Sequence, residues 1–381
     1  MEIYVVVPGD TVDTIAGNYG ISPEEITFIN QIPYPYPLAV GQALLIPVES
    51  GNIPNRYAST NGYAYPYITR ETLEYTLQYL TELSIFSYGF TNEGELIPPT
   101  LPDDWMIEAA NETGTRAILT LTPFGVDGKF NNNLIHAMVG SPDAKATLIE
   151  QLLSAVREKG YSGVDVDFEY ILREDRDDFT TFVAELTAAM NAEGYQVSVA
   201  LAPKTSADQQ GVLYEGKDYG GLGAAANHVL LMTYEWGYTY GPPMAVAPIN
   251  KVRQVVEYAI TEIPVSKINL GVPNYGYDWA LPFVQGESKA TTIGNIEAIQ
   301  IAVDHGAQIQ FDERSQTPYF RYTESGVEHE VWFEDVRSLQ AKFNLVEEFG
   351  LRGMGYWQIM RLFIANWELL ESRFLISGKN P

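Results

Sequence analysis

Past residue 56 the chain alternates between short apolar runs and longer amphipathic stretches. The runs are LSIFSY (83–88), RAILTLT (116–122), GVDVDFEY (163–170), QVSVALA (196–202), HVLLMTY (228–234), KINLGVP (267–273) and GMGYW (353–357), with a first one near 57–65. Their composition favours strands. Between them, stretches such as AKATLIEQLLSAVREKG put Leu148, Leu152 and Val156 on one helical face. Eight strands alternating with helices over roughly 320 residues predict a parallel sheet closed into a (β/α)8 barrel. Before the last strand the spacing lengthens. There TTIGNIEAIQIAVDHG reads as a helix, and QIQFDE, TPYFRY and HEVWFE as strands of a small α+β insertion at about 281–335.

One run departs from the rest. In YSGVDVDFEY, Asp165, Asp167 and Glu169 alternate with Val164, Val166 and Phe168. Strand side chains alternate between faces, so the acids share one face and the apolar residues the other. In a barrel the apolar row faces the helices. The carboxylates then point inward, with Glu169 nearest the C-terminal rim where barrel enzymes place their chemistry. Burying an ion costs several kcal/mol unless it is paired, and three adjacent acids cannot all ionise cheaply. A structural reading needs either a buried network of Tyr and Ser hydroxyls or a solvated face. Coverage of parallel barrel strands on both sides argues against the solvated face. The trio is expected to titrate as a coupled set.

The first fifty residues are organised differently. A strand at 4–7 leads into the Pro8-Gly9-Asp10 turn, and Thr11 is placed to cap a helix through Ile15 and Ala16. Ser22 with Glu25 has capping-box spacing, and GQALLIP supplies a closing strand at 43–46. The strand, helix, helix, strand unit at 1–48 has little core of its own. ESGNIPNR has the composition of a linker, placed at 49–55, and the barrel takes 56–381.

Composition excludes several functions. An apolar content of 46% is that of a globular protein with a core, and 23 basic against 49 acidic residues give a net charge of -26. That charge repels phosphates and anionic lipid, so neither nucleic acid nor a membrane is expected as partner. No run of about 20 apolar residues could span a bilayer. The start, MEIYVVVPGD, lacks a basic n-region and long apolar h-region. No signal peptide is expected in the chain as given; a removed leader, lysis or coat assembly would have to deliver it. Without cysteine there is no disulfide, thiol nucleophile or Cys-ligated zinc. His136, His228, His305 and His329 lack ligand spacing and read as structural or surface residues, so no metal and no cofactor is expected. GGLGAA (220–225) precedes its strand, which makes it a helix turn and not a phosphate loop, and REDRDD (173–178) reads as a solvated loop and helix start.

Two resemblances rest on these residues. YxVxxGDT at the front of the first unit and LxxGQxLxIP at its back resemble a LysM domain from Tyr4 to Pro47. The resemblance implies a shallow groove for the N-acetyl groups of chitin or peptidoglycan, lined by Gly9, Asp10 and Thr11 and by the loop at 32–38. GVDVDFE resembles the DGxDxDxE signature of family 18 glycoside hydrolases, matched at Gly163, Asp165, Asp167 and Glu169, with Ser162 in place of the first aspartate. LLMTYEWG resembles the family's MxYD, with Met232 and Tyr234 matched and Glu235 replacing Asp. GMGYWQ resembles its closing motif and places Trp357 at the barrel mouth, whereas the Ser/Gly-rich third-strand motif is absent, LTPFG standing there. Coverage runs over residues 56–375.

This second resemblance implies hydrolysis in which the sugar's own 2-acetamido oxygen is the nucleophile. Glu169 would be the acid and base, Asp167 the acceptor of the acetamido N–H, Asp165 its proton-sharing neighbour and Tyr234 the donor to the acetamido oxygen. Trp357 would floor the sugar ring. Met232, Trp236 and Tyr275 are further candidates for the substrate cleft, with Tyr238, Tyr277 and Trp279 beside them. The whole pattern looks like a spore-cortex lytic or cell-wall N-acetylglucosaminidase, at the spore coat, cortex or cell wall, and a monomer is expected. The rivals are a chitinase and a catalytically silent chitin- or peptidoglycan-binding protein.

Overall fold

The computed structural model describes residues 1–48 and 54–379; residues 49–53, most of the expected linker at 49–55, lie outside them. The N-terminal unit contains β1 (Glu2–Val5), α1 (Val12–Tyr19), α2 (Pro23–Ile29) and β2 (Ala43–Ile46). β1 and β2 pair antiparallel with Glu2 opposite Ile46, so the first strand starts earlier than the one read at 4–7. Thr11 caps α1, Ser22 and Glu25 form a reciprocal capping box on α2, and Pro23 opens that helix. Val6, Val12, Ile15, Ile26, Leu44 and Ile46 make a small core.

This unit is not freely tethered. Ile29, Ala43 and Leu45 join the main hydrophobic cluster of the barrel. Gln31 accepts from the Ile364 amide at 2.8 Å and donates to the Leu362 carbonyl at 3.3 Å. The Ile309 amide donates to the Val40 carbonyl at 2.9 Å, and Arg337 donates to that of Gly41 at 3.2 Å. A Cβ on Gly41, whose φ is +84°, would lie 1.9 Å from the Ile309 oxygen. Only glycine permits that approach.

The larger unit runs β3 (Tyr57–Ala64), α3 (Arg70–Leu77), β4 (Glu82–Phe90), β5 (Leu96–Ile97), α4 (Asp104–Glu112), β6 (Arg116–Leu121), α5 (Asn133–Val139), α6 (Pro142–Lys159) and β7 (Gly163–Val166). It continues with α7 (Arg176–Ala192), β8 (Gln196–Leu201), α8 (Tyr219–Ala225), β9 (His228–Leu231), α9 (Ile249–Glu262) and β10 (Ile268–Pro273). Strands β3, β4, β6, β7, β8, β9 and β10 pair in parallel sequence. β16 (Gly353–Trp357) closes the ring between β10 and β3. This is the expected (β/α)8 barrel. Ser141 caps α6 ahead of Pro142, and Leu148, Leu152 and Val156 are buried on its inner face. GGLGAA lies within α8, and REDRDD forms a short 3-10 turn and the start of α7.

The insertion differs from its sequence reading at the front. Its sheet begins at β11 (Gly276–Ala280), ahead of residue 281, and TTI is β12 (Thr291–Ile293) instead of the start of a helix, which is α10 (Asn295–Asp304). β13 (Gln310–Asp312), β14 (Thr317–Glu324) and β15 (Val327–Trp332) complete five strands in the order β12-β11-β15-β14-β13. Thr291 and Thr292 pair across to Asp278 and Tyr277, a tertiary partner that overrides local helical periodicity. α11 (Val336–Glu348) leads back to β16, and α12 (Ile364–Glu371) and β17 (Leu375–Ile376) finish the chain. No helix of the described residues is long and apolar enough to cross a membrane.

Candidate active site

β7 ends at Val166, short of the run read to residue 170, yet the alternation of its two faces continues through Glu169. Val164, Val166 and Phe168 are fully buried, and Phe168 packs on Phe90, Phe179 and Phe182 of the surrounding layer. A Cβ on Gly163 would lie 2.2 Å from the Gln196 carbonyl oxygen, so the strand can approach β8 this closely only with glycine there. The opposite face points inward. Asp165, 1% exposed, accepts from Tyr63 Oη at 2.8 Å and from Ser198 Oγ at 2.5 Å. Asp167, 6% exposed, has one carboxylate oxygen with no hydrogen-bond partner among the described residues. Glu169 follows at the rim and lines a cleft of about 530 Å³ together with Asp167, Met232, Tyr234, Trp236 and Trp357.

The electrostatics separate the three acids. Burial pushes the Asp165 carboxyl up, while the Ser198 and Tyr63 hydroxyls pull the other way. Asp167 is held well above the carboxylate range, first by burial and then by the neighbouring charges of Glu169 and Asp165. Burial also raises Glu169. A carboxyl that is buried, faces a cleft and keeps its proton more readily than usual is suited to donate it. The Tyr234 phenol is pushed well up by burial and by the surrounding carboxylates, so it stays a proton donor.

A second acid inside the same barrel shows what a structural carboxylate looks like. Glu82, at the other end of the strands, is bonded to Arg116 at 2.5 Å, to Arg352 at 3.2 Å and to His228 at 3.2 Å. Against the cost of burial, His228, Arg352 and Arg116 pull it far below the usual range. The sequence reading missed this cluster because its members come from four strands or strand starts with no common motif. His228 is indeed structural, as expected of it.

Other candidates separate cleanly. Glu235, at φ +67°, has its carboxyl bonded by Tyr277 Oη at 3.0 Å and by Tyr275 Oη, and it lines the cleft. Tyr275 was expected to line the cleft; it is 3% exposed and stands behind Glu235, in a cluster with Tyr277 and Trp279. Tyr277 and Trp279 alternate along β11, whose pairing with β15 and β12 places them in the insertion, and Tyr275 lies just ahead of that strand. Tyr238 lines the cleft beside Trp236. Trp357 packs against Phe86 at 5.2 Å and Tyr63 at 5.7 Å between ring centroids. In the N-terminal unit, Gly9 and Thr11 are exposed. Asp10 is spent on its own turn, accepting from Tyr4 Oη and the Val7 amide, both at 2.8 Å. Tyr34 and Tyr36 of the loop at 32–38 are exposed and meet edge to face.

Comparison with known proteins places these features. The model for the LysM domain matches residues 4–47, and that for glycosyl hydrolases family 18 matches residues 115–361. The cortical fragment-lytic enzyme of Bacillus subtilis is 37% identical, over 100% of this chain and 99% of that protein. The crystal structure of the Bacillus cereus spore cortex-lytic enzyme SleL matches with a TM-score of 0.92 at 30% identity, over 100% of both chains. That of the Bacillus megaterium enzyme matches with a TM-score of 0.82 at 36% identity, over 99% of this chain and 87% of that one. The family model reaches across most of the barrel, and whole-length relatives carry the likeness through both units. The chain belongs to family 18 of the glycosyl hydrolases and is a glycoside hydrolase with a LysM domain on its N-terminal side.

Proposed function

We propose that this glycosidase is a retaining, substrate-assisted β-N-acetylglucosaminidase acting on spore-cortex peptidoglycan fragments. The observation that carries the reading is the inward acid row that ends in Glu169 at the cleft, with one Asp167 oxygen unpartnered among the described residues. The names of its relatives, cortical fragment-lytic and spore cortex-lytic enzymes, support a substrate of that class. We place it at the cortex as a monomer, with the exposed Gly9 and Thr11 of the LysM domain contacting glycan and Asp10 holding the turn between them.

Glu169 donates its proton to the glycosidic oxygen as the bond from that oxygen to C1 breaks. The acetamido oxygen of the same sugar closes on C1, giving an oxazolinium ion and a free leaving hydroxyl. Family 18 enzymes are a recognised exception to the two-carboxylate scheme in this respect. Asp167, ionised, accepts the acetamido N–H and offsets the positive ring, with Asp165 beside it. Tyr234 donates to the acetamido oxygen and Trp357 carries the ring's apolar face. Water then attacks C1 from the vacated side as the bond from C1 to the acetamido oxygen breaks, and gives its proton to Glu169, restoring the acetamide and the acid with net retention.

The test is E169Q on purified cortex fragments, with products read by mass spectrometry and the first-released anomer by proton NMR. Loss of cleavage by the variant and β anomer first from the wild type are expected. Full reducing-end release by E169Q, or α anomer first, would refute the mechanism. Faster initial rates on chitin oligosaccharides than on muropeptides would reassign the enzyme as a chitinase.

A further inference from the structure

Behind the acid row lies a lysine that no motif flags. Lys217 stands just before α8 and is fully buried. Its ammonium donates to the Phe168 carbonyl and, at 3.2 Å, to the Ala200 carbonyl of β8, and it sits 5.3 Å from the centre of the Phe179 ring. Phe168 is the residue between Asp167 and Glu169. The bond therefore fixes the Phe168–Glu169 peptide, the second of the two links between the acids.

Lys217 forms no ion pair within 4.0 Å among the described residues, unlike Lys342, a buried lysine paired to Glu334 at 2.7 Å. Leaving an ammonium buried without a direct anionic partner is costly, and a chain does not retain it for packing alone when a neutral side chain could cap two carbonyls. The charged groups facing it are Asp167 and Glu169. From the preceding loop Lys204 donates to the carbonyls of Ala207, at 3.1 Å, and Lys217, at 3.0 Å. On α7 the facing group is Phe179, while Arg176 is turned toward Asp218 at 3.4 Å. Burial lowers Lys217 to about 8, with Asp167 and Glu169 opposing, so it remains charged in mildly acidic to neutral solution. In return it pulls down both carboxyls that burial pushes up.

We propose that Lys217 is a positioning residue for the hydrolysis. It supplies the counter-charge that keeps Asp167 ionised while Glu169 holds its proton, and it pins the Phe168 carbonyl so that the two acids keep their spacing. The inference rests on the acid roles proposed above. It adds a cation to a row in which Ser162 replaces an acid.

The experiment is the pH dependence of kcat/KM on cortex fragments for wild type, K217M and K217Q. Removing a cation raises both acid pKa values, so both limbs of the profile move to higher pH. A displacement of one unit lowers the rate on the acidic limb about tenfold. K217Q keeps donors for the carbonyls but not the charge, and moves with K217M. Limbs that stay in place, at whatever height, overturn the inference by reducing Lys217 to a structural cap. Should either variant fail to fold, ¹³Cε-lysine NMR on the wild type and E169Q answers the same question. Loss of the Glu169 charge must lower the Lys217 titration midpoint, and an unmoved midpoint overturns the inference. Failure of the underlying reading is distinct: an active E169Q or α anomer first rejects the acid roles and this inference with them. A silent E169Q with unshifted Lys217 variants rejects the inference alone.

Discussion

Replacing Asp167 by asparagine should make the enzyme more stable and nearly inactive, and the gain should depend on pH in a defined direction. Asp167 is 6% exposed, one of its oxygens has no protein partner, and two further acids adjoin it. A buried unsatisfied polar group costs about 1–3 kcal/mol, and each unit by which the folded carboxyl exceeds its unfolded value adds about 1.4 kcal/mol once the group ionises. The amide stays a buried polar group but removes the charge, and with it the pH-dependent part of this cost. About 1–3 kcal/mol of stabilisation is therefore expected at pH 7, a rise in melting temperature of several degrees. The folded pKa is raised, so the native state binds more protons than the unfolded chain between the two values. The wild type thus loses stability as pH climbs from about 3.9 through the raised native value. Below about pH 3.9 both states are protonated and the variant has no advantage. Differential scanning fluorimetry of both proteins from pH 4 to 8, with hydrolysis measured alongside, tests this. A D167N melting temperature at or below that of the wild type at pH 7, or a gain of equal size at pH 4, refutes the reasoning.

Other perturbations follow from single contacts. Y63F removes one of the two hydroxyls that oppose burial at Asp165, so a loss of about 1–3 kcal/mol in urea unfolding and an alkaline shift of the acidic limb of the rate profile are expected. G41A drives a Cβ into the Ile309 carbonyl; the N-terminal unit should undock, seen as an early calorimetric transition and faster proteolysis near residue 48, while the barrel transition remains. W357A strips the cleft of its aromatic floor, and a fall in kcat/KM of about tenfold, or about 1.4 kcal/mol, is expected, mostly in KM if Trp357 binds substrate and transition state alike.

What could be read from the chain was what its local periods encode. Alternation of strands and helices gave the barrel, and the period-two row gave the inward acids, because each depends on neighbours a few residues away. The groups that tune the row were illegible for the converse reason. Tyr63, Ser198, Lys217 and the Glu82 cluster come from separate strands and loops and meet only when the ring closes. Tyr277 and Trp279 alternate along β11, which pairs with β15 and not with the barrel, and Tyr275 just ahead of that strand packs with them behind Glu235. Docking of the LysM domain through Gln31, Val40 and Gly41 has no sequence signature either, since two of those contacts use backbone atoms.

An acid row with no direct ion pair, opposed only by the more distant Lys217, is offset by the rest of its strand. Each fully buried large apolar side chain contributes about 1.5–3 kcal/mol, against several kcal/mol for a buried ion. The apolar face of the acid strand buries Val164, Val166 and Phe168, and Phe168 stacks on Phe182 at 6.2 Å with its plane 3° away. Phe179, Val183 and Leu186 of α7 extend that layer. Two to three such side chains match one buried charge, so the aromatic layer behind the strand sustains the strained electrostatics in front of it. The Glu82 cluster needs no such offset, since its ion pairs and hydrogen bonds are made within the protein. The difference between the two ends of the barrel is therefore chemical. At one end the charge is satisfied by direct ion pairs; at the other an Asp167 oxygen has no partner among the described residues and faces the cleft, where the proposed mechanism has the substrate's acetamido N–H meet it.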